Sequence, residues 1–200
     1  MPLEDTALEA ELISQMSANG LLGSYIPNLA KGLAEGITIN LLADNIVNTI
    51  DAGVLGGGTS TGPIIGVNPG TLTPLLITTM TQNGFLGTFC TNMATAISEA
   101  FCKWFLAGNL ALCQHTSVGT GIAVGAAGFC ISGLNPDAMF GILMGTLSAN
   151  GILGEFESNM ATAVSDAIVP NLIETALYIQ PIQGSTSPIP SAGVGIGKFF

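Results

Sequence analysis

Ionic charge is what this sequence has least of. Only 8% of its 200 residues are Asp, Glu, Lys or Arg, against roughly a quarter in an average soluble domain. Lys and Arg total 3, at Lys31, Lys103 and Lys198, far apart in the chain. No nucleic-acid partner is expected, because neutralising phosphates takes clustered cations. The 13 acidic residues leave a formal charge of −10. Glu4, Asp5, Glu9, Glu11, Glu155 and Glu157 fall near expected helix starts, where they read as favourable partners of the helix dipole rather than as acid-base pairs.

Catalytic equipment is equally scarce. His115 is the single histidine, and no G-x-S-x-G elbow accompanies the abundant serines, so a serine hydrolase has one possible base and no motif behind it. The four cysteines, Cys90, Cys102, Cys113 and Cys130, form no Cys-x-x-Cys pair. They read as buried reduced thiols, not as a metal site. Gly119-x-Gly121-x-x-x-Gly125 departs from the dinucleotide fingerprint, and Gly56-Gly57-Gly58-Thr59-Ser60 lacks the lysine of a phosphate loop. No enzyme activity, cofactor or metal is expected.

A long apolar helix is missing too. Mean hydropathy is high at +0.61, and residues 104–136 carry no Asp, Glu, Lys or Arg. That stretch is interrupted by Asn109, Gln114, His115 and many glycines, so it yields no eighteen-residue membrane span. A membrane-associated oligomer remains the alternative it motivates, with small-residue faces serving helix association in lipid. The acidic Met1-Pro2-Leu3-Glu4-Asp5 start is not followed by an apolar stretch, and no signal peptide is expected.

What the chain does have is internal repetition. Asn19-Gly20-Leu21-Leu22-Gly23 returns as Asn83-Gly84-Phe85-Leu86-Gly87 and as Asn150-Gly151-Ile152-Leu153-Gly154. After each copy the same residue classes follow: Tyr25, Phe89 and Phe156; Asn28, Asn92 and Asn159; Leu29, Met93 and Met160; Glu35, Glu99 and Asp166. Pro2, Pro69 and Pro136 stand at equal spacing before them. The fold expected is therefore mainly α with short β or extended arms, built from three tandem helix-turn-helix repeats of about 67 residues. The units are 1–68, 69–135 with a longer Gly-rich arm, and 136–200 with a C-terminal Gly/Pro/Ser arm.

Within a unit, Asn68-Pro69 and Asn135-Pro136 place a capping Asn before a Pro at the first helical position. Asn-Gly closes the first helix, its glycine taking the left-handed conformation. The second helix carries large apolar residues at every fourth position (Tyr25, Leu29, Leu33, Ile37; Phe89, Met93, Ile97, Phe101; Phe156, Met160, Val164, Ile168). Flanking Gly and Ala residues permit close helix approach. This helix is expected to run on through Ile46 and Ile50 in the first unit and to be interrupted by Pro170 in the third. In the arms, Ile64, Ile65, Ile122, Val124, Val194 and Ile196 are expected to pack as extended strands. Asn28, Asn92 and Asn159 are expected to be buried amides bonded to those arms.

The repeated module resembles one found in virion proteins of tailed bacteriophages. It is carried by Met160-Ala161-Thr162-Ala163-Val164-Ser165-Asp166-Ala167-Ile168-Val169 ahead of Gly184-Ser185-Thr186-Ser187. The resemblance implies a structural subunit of the capsid exterior, neck or tail, assembled in the host cytoplasm and retained in the virion. Its partners would be other virion proteins or copies of itself.

Overall fold

The computed structural model describes residues 4–44, 46–54, 57–61, 64–65, 67–107, 113–118, 122–125, 128–129, 135–175, 177–179, 181–183 and 191–199, with the strand segments described by their backbone alone. The chain is mainly helical: the six helices among these residues are α1 (Asp5–Ala18), α2 (Ile26–Asp44), α3 (Pro69–Gln82), α4 (Thr88–Ala107), α5 (Pro136–Ala149) and α6 (Glu155–Thr175). The helix starts of α3 and α5 follow from local chemistry. Asn68 accepts a hydrogen bond from the Thr71 amide and Asn135 from the Asp137 amide, with proline as the first helical residue in both. Pro2 lies outside the described residues, and α1 begins later, at Asp5, with no side-chain cap from Glu4.

Two expectations about the second helices need correction. α2 stops at Asp44, and Ile46–Val54 forms a strand instead. Its β-branched Ile46, Val47, Thr49 and Ile50 suit a pleated backbone, and that backbone is paired on both edges. Conversely, α6 continues through Pro170 to Thr175. Pro170 is exposed, and although its missing N–H removes one helical hydrogen bond, Val169 and Leu172 on either side of it are buried in the core.

The helices close into a ring. α1 packs on α2, α2 on α3, α3 on α4, α4 on α5, α5 on α6, and α6 returns to α1. One cluster of buried residues runs through all six, including Leu8, Leu12 and Met16; Leu72, Leu76 and Met80; and Met139, Leu143 and Leu147 from the odd-numbered helices. The even-numbered helices supply Leu29, Leu33 and Ile37; Met93, Ile97 and Phe101; and Met160, Val164 and Ile168, all at 0% exposure. Burying side chains of this kind stabilises by about 1.5–3 kcal/mol each. Small residues beside these stripes set the crossing distance. At the α2/α3 contact a Cβ on Gly32 would lie 2.5 Å from the Met80 Cα, while Thr79 Oγ1 donates to the Gly32 carbonyl at 2.7 Å. Asn83 Nδ2 reaches across to Glu35 Oε2 at 2.7 Å.

The second helices lead away from the turns into strands. These are β1 (Ile46–Val54), β2 (Gly57–Thr61), β3 (Ile64–Ile65), β4 (Cys113–Val118), β5 (Ile122–Gly125), β6 (Gly128–Phe129), β7 (Leu177–Ile179), β8 (Pro181–Gln183) and β9 (Ser191–Phe199). All pairings are antiparallel. β1 pairs β2, β2 pairs β4, β4 pairs β5, β5 pairs β8, β8 pairs β9, and β9 returns to β1. The hydrogen-bonded path is thus circular, the arrangement that removes exposed sheet edges. The packing expected of Ile64, Ile65, Ile122, Val124, Val194 and Ile196 concerns side chains outside the described residues.

Candidate functional site

The three Asn-Gly turns share one hydrogen-bonding scheme. Leu21 N donates to Met16 O, Phe85 N to Met80 O and Ile152 N to Leu147 O, each at 2.9 Å. Gly20, Gly84 and Gly151 donate to Ser17, Thr81 and Ser148. Their φ values are 77°, 84° and 76°. This is the Schellman arrangement, in which a left-handed glycine lets the chain reverse and satisfy the last helical carbonyls. The preceding asparagine adds a side-chain bond: Asn19, Asn83 and Asn150 donate through Nδ2 to Gln15, Thr79 and Thr146 carbonyls at 2.8, 2.9 and 2.8 Å. The residue after the glycine (Leu21, Phe85, Ile152) is buried against the helix it has just left.

That scheme accounts for the first three positions of N-G-x-L-G, and the last glycine takes a positive φ of 139°, 92° and 82° at Gly23, Gly87 and Gly154, which leaves the leucine. Leu22, Leu86 and Leu153 are 74%, 66% and 65% exposed. They make no turn hydrogen bond that another residue could not make. Isolated exposed leucines are ordinary, but a contiguous apolar patch is not.

Contiguity comes from the aromatic residues next to them. Tyr25 lies 6.2 Å from Phe85 between ring centroids, Phe85 6.0 Å from Phe89, and Phe89 5.5 Å from Phe156 in an edge-to-face contact. The chain of rings therefore joins all three turns at one end of the helical ring. Tyr25 and Phe89 are themselves exposed and Phe156 is half-buried. Thus Tyr25, Phe89 and Phe156 begin their apolar stripes as rim residues, whereas the positions that follow them are core.

Asn28, Asn92 and Asn159 are placed differently from the expectation. Asn28 is exposed and the other two are half-buried, so none is a buried amide in need of an arm. Asn28 instead faces the neighbouring turn, with its Nδ2 3.3 Å from where a Cβ on Gly84 would stand; Asn159 faces Gly20 likewise at 3.8 Å. Each bridges from one helix pair to the turn of the next. Gly151 has no such neighbour within 4 Å, so Asn92 does not reproduce the contact.

Outside this surface the chemistry is quiet. Burial raises the Cys102 thiol to about 12, and it raises Cys90 as well, opposed by a hydrogen bond with Thr81; both are therefore poor thiolate nucleophiles. Among the described residues no group of three or more His, Cys, Asp or Glu is placed to hold a metal ion. Among the same residues no helix is long and apolar enough to cross a membrane. The side chains of Cys113 and His115, and Cys130 altogether, lie outside the described residues. No family model, curated protein or solved structure matches this chain.

The apolar turn end was missed at the level of sequence, where N-G-x-L-G reads as the repeated turn that closes each first helix. The signal was present: an apolar residue between two glycines, one position past the buried residue of the turn, repeated three times.

Proposed function

We propose that this protein is a non-enzymatic structural subunit of a tailed-bacteriophage particle, in the capsid exterior, neck or tail. It is organised as three tandem helix-turn-helix units, each running on into extended segments. In this reading units 1–68, 69–135 and 136–200 are equivalent under a pseudo-threefold axis. The first helix of each unit packs on the second helix of the one before it, and a strand pair from each completes the paired ring. One chain thereby imitates a trimer, with three similar contact surfaces available to a symmetric particle.

The observation that carries the proposal is the triplet Leu22, Leu86 and Leu153, solvent-exposed at one end of the ring. An apolar surface of that kind suits protein contact. The low charge of the chain also supports packing against protein over nucleic acid. Mass spectrometry of purified particles of the virus encoding the chain tests it. The protein should be present in a fixed copy number, and its absence from intact particles refutes the reading.

A further inference from the structure

We infer that the turn end of the helical ring seats a second copy of the chain, end to end, through Leu22, Leu86 and Leu153. This deepens the assembly reading and rests on it. Three features favour a second copy over any other occupant.

The first is charge. A chain with a formal charge of −10 repels its own copies wherever acidic surfaces meet. Six of the 13 acids belong to the end opposite the turns. Glu4, Asp5 and Glu9 lie at the start of α1 and Asp137 at the start of α5, while Asp44 and Glu174 belong to the last residues of α2 and α6. All of these elements begin or finish at the end opposite the turns. At the turn end the acids are Glu155, which is exposed, Glu157, which is buried, and the half-buried Glu35, which accepts from Asn83 of the second turn and lies 4.0 Å from Lys31. It is the end where two copies meet with the least repulsion.

The second is shape. Beside each exposed leucine stands a glycine with positive φ, at Gly23, Gly87 and Gly154. A Cβ added to Gly87, Gly151 or Gly154 would meet nothing within 4 Å, so the backbone there is an open floor. Leucine knobs thus stand beside open glycine floors at the second and third turns, while at the first turn the Tyr25 ring covers Gly23, its Cε1 2.8 Å from where a Cβ would stand. A twofold operation that sets a leucine of one ring on a glycine floor of the other makes the same contact twice, the self-complementarity that an isologous interface requires.

The third is extent. Three leucines about two-thirds exposed, with Tyr25 and Phe89, present roughly 500 Å² of apolar surface, near the upper range for the largest patch on a monomer. A standard interface takes about 800 Å² from each partner. The apolar centre by itself falls short of that value, at the small end of the scale where weak, reversible interfaces lie.

Sedimentation velocity on the full chain between about 1 and 200 µM, a range bracketing micromolar association, tests the inference. The wild type should pass from monomer to dimer. The triple variant Leu22→Asp, Leu86→Asp, Leu153→Asp should remain monomeric with its helical circular dichroism unchanged, and Ile39→Asp, at an exposed site on the side of α2, should dimerise like the wild type. The neutral single variants Leu22→Ser, Leu86→Ser and Leu153→Ser should each weaken the dimer, by about three- to tenfold. A wild type that stays monomeric overturns the inference, as does a triple variant that still dimerises or an Ile39→Asp variant that dissociates. Cosedimentation of the wild type with phosphatidylcholine vesicles, lost in the triple variant, also overturns it, by making lipid the occupant. Monomeric protein found in purified particles would sink this inference alone, whereas absence from particles sinks the assembly reading.

Discussion

Replacing Gly32 by alanine separates backbone propensity from packing. In an open helical position this change stabilises, because glycine is about 0.8–1 kcal/mol worse than alanine in a helix interior. At Gly32 the new Cβ would stand 2.5 Å from the Met80 Cα and 2.8 Å from the Met80 amide nitrogen. Both obstacles are backbone, so no rotamer change relieves them and α2 and α3 must separate. Separation also stretches the 2.7 Å bond from Thr79 Oγ1 to the Gly32 carbonyl. Overpacking of a tight core costs about 1–3 kcal/mol and a strained buried hydrogen bond about 1 more. The net effect of Gly32→Ala is then a destabilisation of about 1–3 kcal/mol, or a fall of roughly 2–10 °C in Tm for a chain of this length. Gly36→Ala meets Leu76 Cδ2 at 2.6 Å and Thr79 Oγ1 at 2.9 Å, which are side-chain atoms able to shift, and should cost less. Gly141→Ala in α5, with nothing within 4 Å, should stabilise by about 0.5–1 kcal/mol. Thermal and urea unfolding of the three variants gives the order Gly141→Ala above wild type above Gly36→Ala above Gly32→Ala. A Gly32→Ala protein as stable as Gly141→Ala would refute the close α2/α3 crossing.

Gly84→Ala forces a side chain into φ 84° and should lower stability by about 1–2 kcal/mol in urea melts. Asn135→Ala and Asn68→Ala each remove a helix cap and should cost about 0.5–2 kcal/mol. The Asn135→Ala effect should not be enlarged by loss of the Trp104 Nε1 bond, since that bond goes to the Asn135 backbone carbonyl. Cys102, raised to about 12 by burial, has a folded value above its unfolded one, so its contribution is intact below about pH 8.5. Stability should fall between there and about pH 12, by up to about 1.4 kcal/mol per pH unit, and Cys102→Ala should flatten that part of a stability profile measured by chemical unfolding.

Much of the helical fold was legible locally. Asn-Pro before a helix and Asn-Gly after one are short-range devices, depending only on a cap, a missing N–H and a left-handed glycine, and the backbone at 68–69, 83–84, 135–136 and 150–151 behaves accordingly. The four-residue stripes were equally readable, since Leu33, Ile97 and Val164 are buried whichever neighbour covers them. The end of α2 was not. Leu41 and Leu42 continue the helical pattern into Ile46 and Ile50 without a breaker, and the change to strand is decided by β2, β3 and β9 pairing with that backbone. Pro170 misled in the other direction, because Ile168, Val169 and Leu172 around it are buried in the core, and that tertiary burial offsets the lost helical bond.

The candidate surface divides in the same way. Sequence alone determined the three turns, because each is a contract among five consecutive residues. It also determined that one face of every second helix is apolar. Only the tertiary structure decided that Leu22, Leu86 and Leu153 stand in solvent while Leu21, Phe85 and Ile152 beside them are buried. Adjacent residues of one hydropathy are indistinguishable until the position of the helix ring says which points inward. Its closure, with α6 returning to α1, brings the three turns to one end, where rings from all three touch. Such closure is a contact between chain ends, and no local pattern encodes it.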